Sequence, residues 1–233
     1  MAPEGGSPAP AGRDAGAGTS TGALLLRLIA GQTFLHACMT GMRMAAPLWA
    51  LRAGHSAASV GALLALFALT QVFLSLPAGR YADRHGLRRP VGLAVLGAGT
   101  GALLAAAWPV FPVLCVSALL AGGSAGVAAI ALQRHVGRVA QGPAELRQAF
   151  SWLAIGPAVS NFIGPLAAGL LIDLAGFRAA FGAMALLAAL AWACVRGARE
   201  LPAPPVPAGH APTTAWSLLR EPPFRRLMGV NWL

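Results

Sequence analysis

The sequence contains no lysine, and only 7 of its 233 residues are acidic, against 17 arginines. Charged residues make up 10% of the chain, where a soluble globular domain carries roughly 25%. A water-soluble fold needs polar side chains to cover its core, and too few are present here. With 57% apolar residues, the membrane class comes first. Cysteine is also scarce. Cys38, Cys115 and Cys194 all lie in apolar runs, without a CxxC pair, a metal-ligand spacing or a disulfide framework, and read as small buried apolar residues. No metal and no cofactor is expected. A net charge of +10 can signal nucleic acid, but the arginines sit between apolar runs rather than on one basic domain. That arrangement fits membrane loops and argues against a nucleic-acid partner. Two enzyme-like patterns also fail. Gly97, Gly99 and Ala102 have dinucleotide spacing but lie inside an apolar run, and residues 118–124 contain no acid. Gly122, Ser124 and Gly126 match a hydrolase elbow, with no strand-to-helix turn and no histidine partner nearby. The chain is therefore not expected to be an enzyme.

What the sequence does contain is long apolar runs. A span needs about 20 mostly apolar residues to cross roughly 30 Å of hydrocarbon. Six segments qualify, at roughly 23–50, 58–78, 91–109, 112–132, 150–174 and 179–198. The expected fold class is an all-α polytopic membrane protein, with a six-helix transmembrane bundle over 22–198. Residues 1–21, rich in Pro, Gly, Ala and Ser, read as a disordered tail. Residues 199–224, which contain LPAPPVPAGHAP, read as a flexible linker. Residues 225–233 start a new apolar run, the expected beginning of a seventh helix, since a membrane helix cannot stop after a few residues without leaving unpaired backbone in lipid. Arg80, Arg84, Arg88 and Arg89 follow the second segment. Arg134, Arg138 and Arg147 follow the fourth, and Arg196 and Arg199 the sixth, while the opposite side carries only Arg52 and Arg178. By the positive-inside rule the N-terminus is cytoplasmic.

The second segment runs into LSLPAGRYADRHGLRRP. Gly79, Asp83, Arg84, Gly86, Arg88 and Arg89 fit G-x-x-x-D-[RK]-x-G-x-[RK]-[RK], and between two apolar spans this resembles the signature loop of the major facilitator superfamily. Read from the residues alone, Gly79 permits close helix approach and Gly86 a tight turn. Asp83, at the membrane boundary, needs an arginine or a helix N-terminus as partner. The resemblance implies that this acid forms part of a cytoplasmic gate latching two halves of a transporter. The same intervals recur at Gly169, Asp173, Gly176 and Arg178, with Leu174 and Ala179 where the first copy has Arg84 and Arg89. Such a copy suits a three-plus-three inverted repeat, and its missing arginines suit the opposite membrane face. The resemblance further implies a second, C-terminal half and a small-molecule substrate bound near the midplane between the halves.

Polar residues inside the spans supply pathway candidates. Gln32, His36, Thr40 and Arg43 fall on one face of a helix. They either line the central aqueous pathway or serve packing, with Arg43 snorkelling outward. Gln71, which shares a face with Ser75, either lines the pathway or bonds a neighbouring helix. His36 has the ordinary pKa range for proton coupling, and no Asp or Glu lies near the middle of any span. The run Gly156, Ser160, Gly164, Pro165 and Gly169 resembles the fifth helix of drug/proton antiporters, with Ser151, Ser160 and Ala168 replacing glycines; it also reads as an ordinary small-residue packing face. Ala118 stands four residues before Gly122, where many members carry an arginine, which counts against proton coupling through that position. The expected function is secondary transport, of the efflux type. The competing reading is a six-helix channel or scaffold acting as a homodimer.

Overall fold

The computed structural model describes residues 14–140 and 142–198. Among them are five α-helices and no strand: α1 (Asp14–Arg52), α2 (Ala57–His85), α3 (Arg88–Ala107), α4 (Phe111–Val139) and α5 (Pro143–Val195). Residues 1–13 of the expected tail, the expected linker 199–224 and the apolar run 225–233 lie outside the described residues. Residues 14–21 belong to α1, where the sequence suggests disorder. Each residue added to an existing helix gains one hydrogen bond for the dihedrals it fixes, and Ala15 and Ala17 favour that extension.

Helix α5 has 53 residues, which as a straight rod would measure about 80 Å. It is broken at Gly176, with φ 83° and ψ 174°, a conformation that residues with a Cβ rarely adopt. The neighbours of α1 show that the chain turns back at this point. Before Gly176, α5 runs in the same direction as α1: Gly156 faces Thr33, Gly164 faces Thr40 and Gly169 faces Met44. After it the direction is reversed, with Met184 facing Gly41 and Val195 facing Gly31. The segments expected at 150–174 and 179–198 are thus two helical limbs running in opposite directions, which meet at Gly176, inside the gap between the two apolar segments.

Among the described residues, α2, α3, α4 and α5 are long and apolar enough to cross a membrane, with mean hydropathy between 1.7 and 2.1. Helix α1, expected to span over 23–50, falls outside that set. Arg27, Gln32, His36, Thr40 and Arg43 dilute it. It is instead enclosed by its neighbours, and Cys38, Met42, Ala45, Ala46 and Ala50 are fully buried. The outward faces of the other helices present Phe73, Leu76, Leu96, Phe162 and Leu174. So large an exposed apolar surface suits hydrocarbon, not water.

In lipid, apolar burial does not drive helices together; close packing and interhelical hydrogen bonds do. Three seams carry both. Between α1 and the first limb of α5, the Ser160 hydroxyl donates to the Thr33 carbonyl (2.8 Å), and the Thr40 hydroxyl donates to the Ser160 carbonyl (2.9 Å). Between α2 and α4, the Thr70 hydroxyl donates to the Leu119 carbonyl (2.9 Å), while Gly122 lies directly against the backbone of Phe67. Between α3 and α4, the Ser117 hydroxyl donates to the Gly101 carbonyl (2.7 Å). Glycine is required where backbones meet. A Cβ on Gly164 would stand 2.7 Å from the Ala37 carbonyl oxygen and 3.0 Å from the Gly41 nitrogen.

This geometry separates two glycines of the same helix. Gly164→Ala forces one backbone away from another and should cost about 1–3 kcal/mol. Gly182, with open space around it, should tolerate alanine or gain up to about 1 kcal/mol from the better helix former. Melting temperatures of the two variants in detergent check this, and equal values would refute the seam.

Candidate functional site

The signature residues are not in a loop. Helix α2 has 29 residues, about 43 Å of helix against roughly 30 Å of hydrocarbon, so it is long enough for its last turns to project beyond the membrane core. Gly79, Asp83 and Arg84 lie on these turns, and Arg88 and Arg89 form the first turn of α3. Only Gly86 and Leu87 connect the two helices. Gly86 has φ 72° and ψ −150°, and its amide donates to the Ala82 carbonyl at 3.0 Å. That positive φ is why glycine occupies the turn.

Asp83 forms an ion pair with Arg134 of α4; the side chains are 49% and 44% exposed. A pair so exposed adds only about 0–1 kcal/mol in water, so its effect is to position α2 against α4 rather than to stabilise the fold. Gly79 sits one turn before Asp83 on the same face. A Cβ there would be 2.8 Å from Arg134 Nη2, so the glycine leaves room for the guanidinium to reach Asp83. What approaches Gly79 is therefore a side chain, not the neighbouring helix that the sequence suggests. Arg134 is one of several basic residues after the fourth apolar run, and no spacing in the sequence marks it as the partner. Arg88 Nε donates to the Ala198 carbonyl at 2.9 Å, which ties the start of α3 to the end of α5. Arg84 and Arg89 are exposed.

The second copy lies at the other end of the bundle. Gly176 is the break in α5, and Asp173 and Arg178 are exposed. Gly169 faces Met44, with Met44 Cε 3.4 Å from where a Cβ would stand.

The pathway candidates do not stay together. At about 100° per residue, His36 and Arg43 fall within roughly 40° of Gln32 around α1. Gln32 is 8% exposed, and its Oε1 has no hydrogen-bond partner among the described residues. His36 is half-buried and Arg43 exposed. Thr40 does not belong with them: it is 4% exposed, at the stripe's edge where α5 covers it, with its hydroxyl committed to the α1–α5 seam. Gln71 packs in the α2–α4 seam, its Cγ 3.2 Å from a Cβ placed on Gly126. The Ser75 hydroxyl bonds its own helix, at the Val72 carbonyl. In α5, Gly156, Ser160, Gly164 and Ala168 are buried and the first three face α1, while Pro165 is half-buried. This run therefore packs helices.

Gly79→Ala and Asp83→Asn should each release Arg134, so their effects on stability should overlap. In a double-mutant cycle the pair should lose less than the sum of the singles, by up to about 1 kcal/mol; strict additivity in thermal melts would contradict the contact. Compared with proteins of curated function, the chain matches none. The sequence profile of the Major Facilitator Superfamily matches residues 28–233, a region that holds α2 to α5, both copies of the glycine–aspartate motif and the polar face of α1. The chain belongs to the major facilitator superfamily of membrane transporters.

Proposed function

We propose that this chain moves a small molecule across the bilayer by alternating access, with the arginine-rich end in the cytosol and the Asp83–Arg134 pair as part of the cytosolic gate. The observation that carries the reading is that ion pair. It joins two helices where they leave the membrane core, beside a two-residue turn, and half of each side chain remains exposed to meet another surface. Arginines concentrate at this end, with only Arg52 and Arg178 at the other, which supports its cytosolic placement. Gln32, His36 and Arg43 line the pathway, because polar and charged groups at membrane depth face a cavity rather than lipid. Outward transport by an antiporter is supported by the resemblance of the Gly156 to Gly169 run.

Six spans in a three-plus-three repeat are part of the same proposal, with the limbs of α5 as the fifth and sixth. Thr70 and Ser160 stand ninety residues apart, and each donates its hydroxyl across a seam, to α4 and to α1 respectively. Gly79 with Gly169, Asp83 with Asp173 and Gly86 with Gly176 follow at the same interval. Gly86 and Gly176 both end a helical stretch at positive φ, 72° and 83°. The packing of α2 on α4 thus parallels that of the first limb of α5 on α1, which supports an inverted repeat.

A strain lacking the gene, grown on a panel of toxic small molecules, tests the function. The wild-type gene should restore growth and lower the intracellular level of at least one compound. Asp83→Asn and Arg134→Gln should restore neither at equal membrane abundance. Full complementation by Asp83→Asn would remove the gate from the account. Labelling of a cysteine placed at Arg84 from outside intact cells would reverse the orientation.

A further inference from the structure

On the outer flank of the arginine-rich end, α2, α3 and the second limb of α5 enclose a groove of about 470 Å³. Its rim and its floor differ chemically. The rim holds Arg88, Arg89 and Tyr81, the one tyrosine of the chain, and among the described residues no acidic one lines the groove. The floor holds Leu93, Leu96 and Trp192. Each part is held in place. Arg88 is anchored through Nε to the Ala198 carbonyl, and the Tyr81 ring stacks on His85 with centroids 4.2 Å apart. Gly92 gives the indole its place, since a Cβ there would stand 3.3 Å from a Trp192 ring carbon. Leu93 and Leu96 are 56% and 67% exposed. They lie one to two turns below the arginines, at the depth where α3 enters the apolar layer.

We propose that this groove binds an anionic phospholipid, with its phosphate on Arg88 and Arg89 and an acyl chain along Leu93, Leu96 and Trp192. The order of the groove from rim to floor is the order of such a lipid from headgroup to tail. Guanidinium groups pair with phosphate oxygens through parallel N–H donors. Basic pockets between membrane helices on the cytosolic side suit anionic headgroups, and tyrosine and tryptophan favour the interface. A zwitterionic lipid would bring its own cation to a site that already holds two. A free phosphate would satisfy the rim and leave the floor unused.

The proposal does not depend on transport and is tested without it. The full chain, stripped of lipid in detergent, is titrated with phosphatidylglycerol, phosphatidylcholine or glycerol 3-phosphate, and bound ligand is counted by native mass spectrometry. Phosphatidylglycerol should be retained in preference to the other two. Arg89→Gln, a change at an exposed position, should weaken its retention about fivefold, and the Arg88→Gln/Arg89→Gln pair further, since each basic residue near a membrane surface contributes on this scale. Leu96→Gln should weaken it through the floor. Arg147→Gln, an exposed arginine of the same end outside the groove, should not. Equal retention of phosphatidylcholine, glycerol 3-phosphate binding as tight as that of the lipid, or unchanged retention by Arg89→Gln with a wild-type melting temperature would each overturn it.

Discussion

The architecture depends on backbones touching. Hydrocarbon is as apolar as leucine, so nothing squeezes these helices together, and what remains is dispersion and the few hydrogen bonds that can cross a seam. Both fall away steeply with distance. The Thr40, Ser160, Thr70 and Ser117 hydroxyls reach carbonyls on the facing helix only because Gly164, Gly122 and Gly101 keep the axes close. Interhelical hydrogen bonds in membranes average about 0.6 kcal/mol, so none of these bonds holds the bundle alone. The glycines set the distance, and the hydroxyls then fix which turn faces which.

The ion pair inherits its geometry from those seams. Helix α4 is the shared partner of α2 and α3, and both seams use small residues near its middle: Gly122 against Phe67, and Ser117 against Gly101. From there α2, with Pro77 inside it, and α4 continue as helices to the arginine-rich end. Twelve residues on from Phe67 and from Gly122, at about 1.5 Å per residue, Gly79 and Arg134 come level, and the Arg134 side chain passes over the glycine to reach Asp83 one turn further on. A residue added deep in the α2–α4 seam would therefore be felt at the pair, several turns away.

Composition and motif spacing reveal much of this in advance. The apolar runs place four helices that can cross a membrane, and the glycine–aspartate–arginine pattern marks the end that carries the ion pair. The form of the motif is not visible, because arginines break an apolar run without breaking a helix. The sequence shows where hydrocarbon ends, and the helix continues past that point into water. The Gly176 break, by contrast, falls in the gap between the apolar segments at 150–174 and 179–198, and only its form, one residue at positive φ, is not visible. Thr40 illustrates a different limit. Periodicity groups it with Gln32 and His36 within a broad arc, but only the position of α5 decides that it is covered. The partner of Asp83 is set by tertiary packing, among several arginines of equal standing in the sequence.

The two ends of the bundle also differ in how they can close. On the proposed repeat, Met44 occupies the position of Arg134: each lies over a glycine one turn before an aspartate, Gly169 in one case and Gly79 in the other. Both are long, flexible side chains, so the packing volume over the glycine is roughly preserved while the charge is not. Asp83 is held by a guanidinium, whereas Asp173 is exposed with no ion-pair partner shown among the described residues. The other end, where Arg52 lies over the Phe177 ring at 5.3 Å, has Met44 against Gly169 in place of an ion pair. A half-exposed ion pair weakens as salt screens it, and a packed methionine does not. If the halves of this transporter rock about a central site, closure at the arginine-rich end is governed by charge and closure at the other end by packing. The asymmetry follows from one substitution within the repeat, arginine for methionine, on the side where the bilayer favours positive charge.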